Sequence, residues 1–431
     1  MIKRVIIAGA GHRSLCYAGY AQAAPDKMQI VGVAEPIKER RDFVAKAYNL
    51  PPECCFHDVD ELVKKEKFAD AVINGTMDAL HVATTVKLLE AGYDVLLEKP
   101  FAINHAEVIE LEEAVKRTGR IVMICHVLRY APFYAEIKQR ILNGDIGKIV
   151  NIQATEHVSY HHYVVGYVRG KWRNQEISGS SFLMAKSCHD LDLIVWLKSG
   201  IKPVRVSSFG AGDFFCRENA PKNSGTLCLV DCPIEKDCIY SVRQLCLNHP
   251  ERWGAYIWPE LDYNDELNTP EERERRLRDP NDRNSYCVWK CDNNLTDRQT
   301  VMVEFADHAL ATFNLIGNCT RPQRKLHIIG TKGEIQGVLD DNRFVVRHID
   351  VSPNCEYREE CFNLHHMGDT TGAMGGHGGG DLRLIKDFID VINGESPSIS
   401  CTLLADSIAG HKLGFAADLS METHQCIELN D

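Results

Sequence analysis

The sequence predicts an α/β chain that opens as a doubly wound parallel sheet and continues into a second domain. Three observations carry this. Short apolar runs alternate with helix-length amphipathic runs through the first 125 residues: "RVIIAGAG", "QIVGVAEP", "ADAVING", "YDVLLEKP" and "RIVMICH" are the strand candidates. Strands alternating with helices build parallel sheets. A glycine turn follows the first run directly, and the chain, at 431 residues, is too long for one ordinary core. The expected division is 1–125 and 126–431, with an insertion near 215–290 and C-terminal helices over 381–420.

The first element is "RVIIAGAGHRSLCYAGYAQA", an apolar strand, a turn and a helix. Its pattern is Gly9-x-Gly11-x-x-Ser14. Gly9 allows the tight turn, Gly11 lets a pyrophosphate approach the backbone, and Ser14 is a small stand-in where helix meets strand. Amide groups at the start of the helix would face that pyrophosphate. His12 and Arg13, on the same turn, are counted with these three as cofactor-binding. The second strand ends at Glu35, 26 residues past Gly9. A carboxylate there accepts from both ribose hydroxyls of NAD and repels the extra phosphate of NADP, so NAD is the expected cofactor.

A helix near 37–48 follows, then the strand "ADAVING", whose carboxyl end carries Thr76, Asp78 and His81. Thr76 and His81 are read as cofactor contacts, and Asp78 as a cap for the next helix. The strand "YDVLLEKP" ends in Glu98 and Lys99, and Pro100 stops it. A charged pair at the tip of a buried strand sits where open parallel sheets bind ligands. Lys99 is therefore a catalytic candidate, Glu98 is expected to pair with it or with a neighbouring group, and both are counted among the cofactor-binding residues.

Hydrophobic content of 44% and charged content of 25% are those of a globular protein, and the net charge is −11 without a large basic block. That balance argues against nucleic acid and anionic membrane surfaces. No apolar run approaches the ~18 residues of a membrane span, and the stretch after Arg4 is too short for a signal segment. The expected compartment is the cytoplasm. There the 17 cysteines should be thiols or metal ligands. "CLVDCPIEKDC" and "CVWKC" leave a structural zinc open beside plain buried thiols. Residues 250–285, with "EERERRLRD", read as an insertion with a solvated helix.

The glycine turn, the acidic residue and "EKP", followed by "HVLRYAPFY", "NGDIGKIVNI", "KSCHDLDL", "IIGTKGEI" and "GHGGGDLRLIKDF", resemble the Gfo/Idh/MocA oxidoreductases along nearly the whole chain. The resemblance implies an N-terminal Rossmann domain that binds NAD(P). It also implies a C-terminal α/β domain with an open, mostly antiparallel sheet that commonly packs against another subunit. Sugars, sugar nucleotides or inositols are the implied substrates, Lys99 the implied contact to the reacting hydroxyl, and His189 the implied acid/base. Many members carry an aspartate four residues before that histidine; here the position is Ala185, followed by Lys186. Helical spacing puts Lys186 and His189 on one face, so Lys186 is a candidate for the place of the missing carboxylate.

Oxidising a secondary alcohol needs a base near neutrality and a cation beside the developing alkoxide. His189 and Lys99 supply both. "SCHDLDLIVWL" reads as an amphipathic helix whose Asp190 and Asp192 cap or solvate it. The stretch 156–174 is dense in polar aromatics, which suit sugar rings; Tyr160, His161, Arg169 and Trp172 are substrate candidates, with Arg129. His377, on the glycine loop "GAMGGHGGGD", is another, or the loop is a lid without chemistry. The expected function is NAD-dependent oxidation of a secondary hydroxyl of a sugar, glycoside or inositol, in the simplest form at C3 of a pyranoside. Two alternatives stay open: a redox glycosidase that oxidises, eliminates, hydrates and re-reduces, and a non-catalytic NAD-binding regulator.

Overall fold

The computed structural model describes residues 1–198, 200–258, 261–263, 266–364, 377 and 379–429. Two sheets organise it. The first has six parallel strands in the order β3-β2-β1-β4-β5-β6, from β1 (Lys3–Ala8), β2 (Met28–Ala34), β3 (Cys55–Phe56), β4 (Ala71–Asn74), β5 (Asp94–Leu97) and β6 (Val122–Ile124). Its strands read as unbroken apolar runs because both faces are covered. Ile6, Ala8, Val72 and Leu97 pack with Val82, Leu88, Val108 and Leu111 of the helices His81–Glu90 and His105–Thr118. Val5, Ile7 and Met123 face the other way, against Tyr17 of the helix His12–Ala18.

That second face is completed from far along the chain. The helix Gly380–Ile392 puts Leu382, Ile385, Phe388 and Ile389 into the same core. The division expected after residue 125 counts this helix with the second domain, and its apolar face packs on the first sheet. The sequence spaces its apolar residues for one buried face but does not say which sheet receives it.

The second sheet has nine strands in the order β14-β13-β12-β11-β7-β10-β9-β8-β15. They are β7 (Ile149–Ser159), β8 (Pro203–Ala211), β9 (Arg298–Phe305), β10 (Leu310–Cys319), β11 (Gln323–Gly330), β12 (Gly333–Val338), β13 (Arg343–Ile349), β14 (Tyr357–Asn363) and β15 (Ile427–Glu428). Only β7 and β10 run parallel; the other pairings are antiparallel. One face packs the helices Phe182–Leu197 and Leu404–Thr423. The opposite face keeps Phe209, Met302, Leu310 and Ile316 exposed.

Two details place the site. The helix Phe182–Leu197 starts at Ser181, whose Oγ accepts from Met184 N at 3.1 Å. It is buried on nearly every side and not amphipathic: Asp190 and Asp192 are inside, paired with Arg324 and Arg129. Between β8 and β9, the charged run expected to be a solvated helix is the helix Pro270–Arg276, with no buried residue. No helix among the described residues is long and apolar enough to cross a membrane.

Ser181 Oγ also donates to Asp418 Oδ2 at 2.6 Å, while Gln299 Nε2 reaches Oδ1 at 3.1 Å. Burial outweighs these bonds and pushes the Asp418 carboxyl up to about 6. The folded state then binds the proton more tightly than the unfolded chain. Stability is greatest below the unfolded value of about 3.9 and falls as pH rises toward 6. Asp418→Asn keeps an acceptor for Gln299. It should raise Tm at about pH 7.5, with the gain gone near pH 4; thermal unfolding at both pH values checks this, and no gain at the higher pH contradicts it.

Candidate active site

The site lies where the carboxyl ends of the parallel strands meet the helix Phe182–Leu197. The glycine turn comes first. Gly9 has φ +78°, and a Cβ there would stand 2.6 Å from Gly75 O. A Cβ on Gly11 would meet nothing within 4 Å, so its backbone faces open space that a pyrophosphate can fill. Ser14 is buried against Gly75, where a Cβ would come within 2.1 Å of its hydroxyl. Close helix–strand packing is thus achieved by serine against glycine. Glu35 is buried, with Oε2 accepting from Ala10 N at 2.7 Å and Oε1 from Ile37 N at 2.9 Å.

Thr76 turns back on β4: its Oγ1 donates to Asn74 Oδ1 at 2.9 Å. His81 is buried and spans from Thr76 O at 3.0 Å to Pro100 O at 2.7 Å, so both ring nitrogens are used in joining two loops. Asp78 is not a helix cap. Its Oδ2 accepts from Trp172 Nε1 at 3.1 Å and Ser180 Oγ at 3.0 Å, tying the first sheet to the second domain.

Of the two partners expected for Glu98, the structure gives the neighbouring groups and not the Lys99 ammonium. Glu98 Oε1 accepts from Tyr17 OH at 2.6 Å and Arg13 Nε at 3.3 Å, and its Oε2 from the backbone N–H of Lys99 at 2.8 Å. Burial alone would raise its pKa, but Arg13 and then Lys99 hold it below the usual carboxylate range. Arg13 also bonds Asp381, and His377 Nδ1 lies 3.4 Å from Asp381. Arg13 and Asp381 therefore join the first helix, the β5 tip and the start of the helix Gly380–Ile392. His12 lies beside this network; burial and the Arg13 charge lower its pKa.

The ammonium of Lys99 crosses to the second domain and donates to Ala185 O at 2.8 Å, one turn before His189. His189 is buried, and its pKa is pushed well below the ordinary value by burial, then by Lys99, His126, His377 and Arg324. Its ring lies 5.6 Å from that of His126 and 6.4 Å from that of His377. Lys186 pairs with Glu156 at 2.9 Å, and Arg324 bridges Glu156 and Asp190 at 2.9 Å each. Burial lowers the Lys186 pKa against the pull of Glu156.

Other expected residues are not brought here. Arg129 is buried, donating to both carboxylate oxygens of Asp192 at 2.7 and 2.5 Å and to the carbonyls of Cys401 and Asp406. His161 bonds Leu245 O at 2.7 Å, and Tyr160 lines a separate cavity of about 430 Å³ beside the insertion. Arg169 donates to the carbonyls of Tyr286 and Tyr240 and to Cys228 Sγ at 3.3 Å. A guanidinium set among those thiols opposes a second cation. No group of three or more His, Cys, Asp or Glu among the described residues is placed to hold a metal, so the structural-zinc expectation finds no support. All 17 cysteines are free thiols.

The roof comes from residues that spacing did not single out. Trp253 of the insertion stacks on His162 at 3.6 Å, and Tyr256 lies 5.5 Å from Trp172. Burial raises the Tyr256 pKa, and the charges of Arg13 and Glu98 act on it as well. The insertion also reaches the helix Lys38–Ala47, where Tyr263 lies 5.2 Å from Phe43. Of the glycine loop, only His377, Gly379, Gly380 and Asp381 fall within the described residues; the lid reading of the remainder lies outside them.

Two family models match: the oxidoreductase family with an NAD-binding Rossmann fold over residues 3–126, and the GFO/IDH/MocA C-terminal domain over residues 134–218. Over these spans the chain belongs to the Gfo/Idh/MocA oxidoreductase family. Its relatives include the Bacillus subtilis oxidoreductase YteT, 27% identical over 366 residues that cover 83% of this chain and 80% of YteT. The scyllo-inositol 2-dehydrogenase (NAD(+)) of the same organism is 27% identical over 48% of this chain and 57% of its own. Among solved structures, an oxidoreductase domain protein from Kribbella flavida superposes with TM-score 0.72 at 16% identity, over 100% of this chain and 99% of that one. Levoglucosan dehydrogenase in complex with NADH superposes with TM-score 0.70 at 17% identity over 100% of both chains. At these identities the two structures share the fold.

Within the Gfo/Idh/MocA pattern, His126 follows β6 as Lys99 follows β5, and that register could have marked it. Asp381 stands four residues after His377, a spacing that pairs them across one turn. Arg129 illustrates the opposite error: the motif draws attention to it, but its donors serve the core. Removing one partner of a buried ion pair costs about 3–5 kcal/mol. Arg129→Met should lower unfolding stability by that order in chemical denaturation. A stable variant with only a raised KM would return Arg129 to the substrate.

Proposed function

We propose that this protein is an NAD-dependent oxidoreductase that oxidises a secondary hydroxyl of a sugar, glycoside or inositol to a ketone. The observation that carries the reading is the bond from Lys99 Nζ to Ala185 O. It docks a cation from the parallel-sheet edge one turn before a buried histidine whose pKa is lowered. A neutral imidazole and a fixed ammonium together suit proton removal from a hydroxyl and stabilisation of the resulting alkoxide.

Residues toward the cofactor divide along the edge. Gly9, Gly11 and the turn with His12 and Arg13 would hold the pyrophosphate, with Ser14 giving close packing. Glu35 would meet the adenosine ribose, Thr76 the nicotinamide side; the Glu98 network fixes the strand tip. When bound, the nicotinamide accepts a hydride. Lys99 would orient the reacting oxygen and His189 take its proton. The stacked His162–Trp253 pair and Trp172 offer flat faces to a sugar ring. Lys186, neutralised by Glu156, would act as a hydrogen-bond donor to substrate and does not replace an aspartate.

His377 favours a second reading. A redox glycosidase needs a base for the proton beside the new ketone in addition to one for the hydroxyl, and His377 stands 6.4 Å from His189. The same cleft would then return the hydride after elimination and hydration. Incubation with NAD or NADP and a panel of glycosides and inositols separates the cases. NADH accumulation marks the dehydrogenase, aglycone without net NADH marks the glycosidase, and preference for NADP would count against Glu35. In either case Lys99→Met should cut turnover at least ~100-fold, the scale of one lost oxyanion donor, with folding and NAD binding retained. Full specific activity in Lys99→Met would end this account of the site.

The exposed face of the second sheet, with Phe209, Met302, Leu310 and Ile316, is the surface proposed for packing of a second copy. Light scattering should give a multiple of 48.5 kDa; a monomer at micromolar concentration would contradict it.

A further inference from the structure

The proposed base has no carboxylate behind it. Position 185 is alanine, and a catalytic imidazole needs a partner on its far nitrogen to fix its tautomer and receive charge. His189 Nδ1 is buried with no hydrogen-bond partner, which leaves Nε2 as the nitrogen on the cleft side. Both ring nitrogens of His126 are buried and unpartnered as well. The two rings meet edge to face with centroids 5.6 Å apart. On the far side of His126, Nε2 lies 3.8 Å from Asp192 Oδ1. Three orphaned ring nitrogens in one place are costly, at about 1–3 kcal/mol each, and such groups in native proteins mark a functional arrangement.

We infer that His126 is a positioning residue for His189: it receives the Nδ1 proton through one bridging water and passes the charge toward Asp192, in place of the carboxylate missing at position 185. This rests on the reading of His189 as the base. In the forward step the substrate O–H proton goes to His189 Nε2. The Nδ1 proton leaves to His126, which becomes an imidazolium beside Asp192. With NAD bound, the C–H electron pair would leave as hydride to the nicotinamide, and the O–H pair would become the second C–O bond. The reverse path restores both protons.

The surrounding charges set the direction. His189 faces Lys99, His126, His377 and Arg324, all cationic or neutral bases. His126 faces Asp192 and Arg129, then Lys99 and Glu98, with His411 also in range. A positive charge on His189 would stand against Lys99. Moved to His126, it stands beside the carboxylate, and opposite charges at ~4 Å attract strongly in a buried site. Arg129 holds Asp192 in place through two bonds. Burial keeps His126 neutral at rest, its pKa lowered to about 4.

His126→Phe preserves the edge-to-face packing and removes both nitrogens. His126→Gln keeps a donor and acceptor that cannot carry charge. Both are to be compared with wild type by thermal unfolding, by the pH profile of kcat, and by 15N NMR of the His189 ring in protein free of cofactor. We expect His126→Phe to lower kcat at least ~10-fold with KM within about threefold. We also expect the acid limb of its profile to move and the His189 15N shifts to change. Gln should restore the resting tautomer but not the profile. An unchanged profile with unchanged His189 shifts overturns the relay, and if the Phe variant does not fold, the Gln variant alone decides by the same two readouts. If wild type oxidises no secondary alcohol, the reading of His189 falls, and the NMR comparison still decides whether the two rings are coupled.

Discussion

The arrangement of the cleft depends on how one buried carboxylate is satisfied. Glu98 is buried at the end of a strand, and an ionised carboxylate in such a place needs several donors. It finds three, on Arg13, Tyr17 and the backbone N–H of Lys99. Had Glu98 taken the ammonium instead, the charge proposed to act at the reacting oxygen would be neutralised by its own neighbour. Because the backbone N–H stands in, the ammonium is left to cross between domains and dock on a helix carbonyl. Arg13, held by two carboxylates, links the glycine-turn helix, the strand tip and the C-terminal helix. A change at any of these three elements would be felt at Lys99.

The two domains are therefore less separable than chain order suggests. The helix Gly380–Ile392 completes one face of the parallel sheet and also delivers Asp381 to the charge network. Asp78, at the end of β4, receives donors from Trp172 and Ser180 of the second domain. The insertion packs against Trp172 through Tyr256 and reaches the helix Lys38–Ala47 through Tyr263. A groove bounded on both sides by the same chain can fix substrate and cofactor relative to each other, which is what hydride transfer between them requires.

The parallel sheet was legible because buried parallel strands announce themselves as apolar runs, and the glycine turn because only glycine tolerates φ +78° beside a carbonyl. Lys99 was singled out as a charge at the tip of a buried strand, and His189 chiefly through the family resemblance. What escaped were pairings across long sequence separation. Arg129 and Asp192, 63 residues apart, look like two polar side chains free for substrate. Asp190 and Asp192 look like the solvated face of an amphipathic helix, yet both neutralise buried arginines. Periodicity reports how often a residue is apolar; it cannot report that a charge is buried with its partner. The same limit applies to Arg169, whose thiol neighbours invite a metal reading that the guanidinium among them opposes.

Alanine at position 185 is the feature that ties these threads together. A carboxylate there would stand on the turn where Lys99 now docks, and at close range would bind the ammonium at least as well as a carbonyl does. The alanine leaves a neutral acceptor, so Lys99 keeps its full charge toward the cleft while its position is still fixed. The cost falls on His189, which loses a negatively charged partner and sits among cations. Lys186 does not make this good, because Glu156 holds it and Arg324 closes that cluster into balanced pairs. The carboxylate beside His126 is Asp192, one turn along the same helix from His189. In the proposed reaction, moving the negative charge from one turn before His189 to one turn after it would keep a strong cation at the oxygen and place the compensating charge behind His189, away from the substrate.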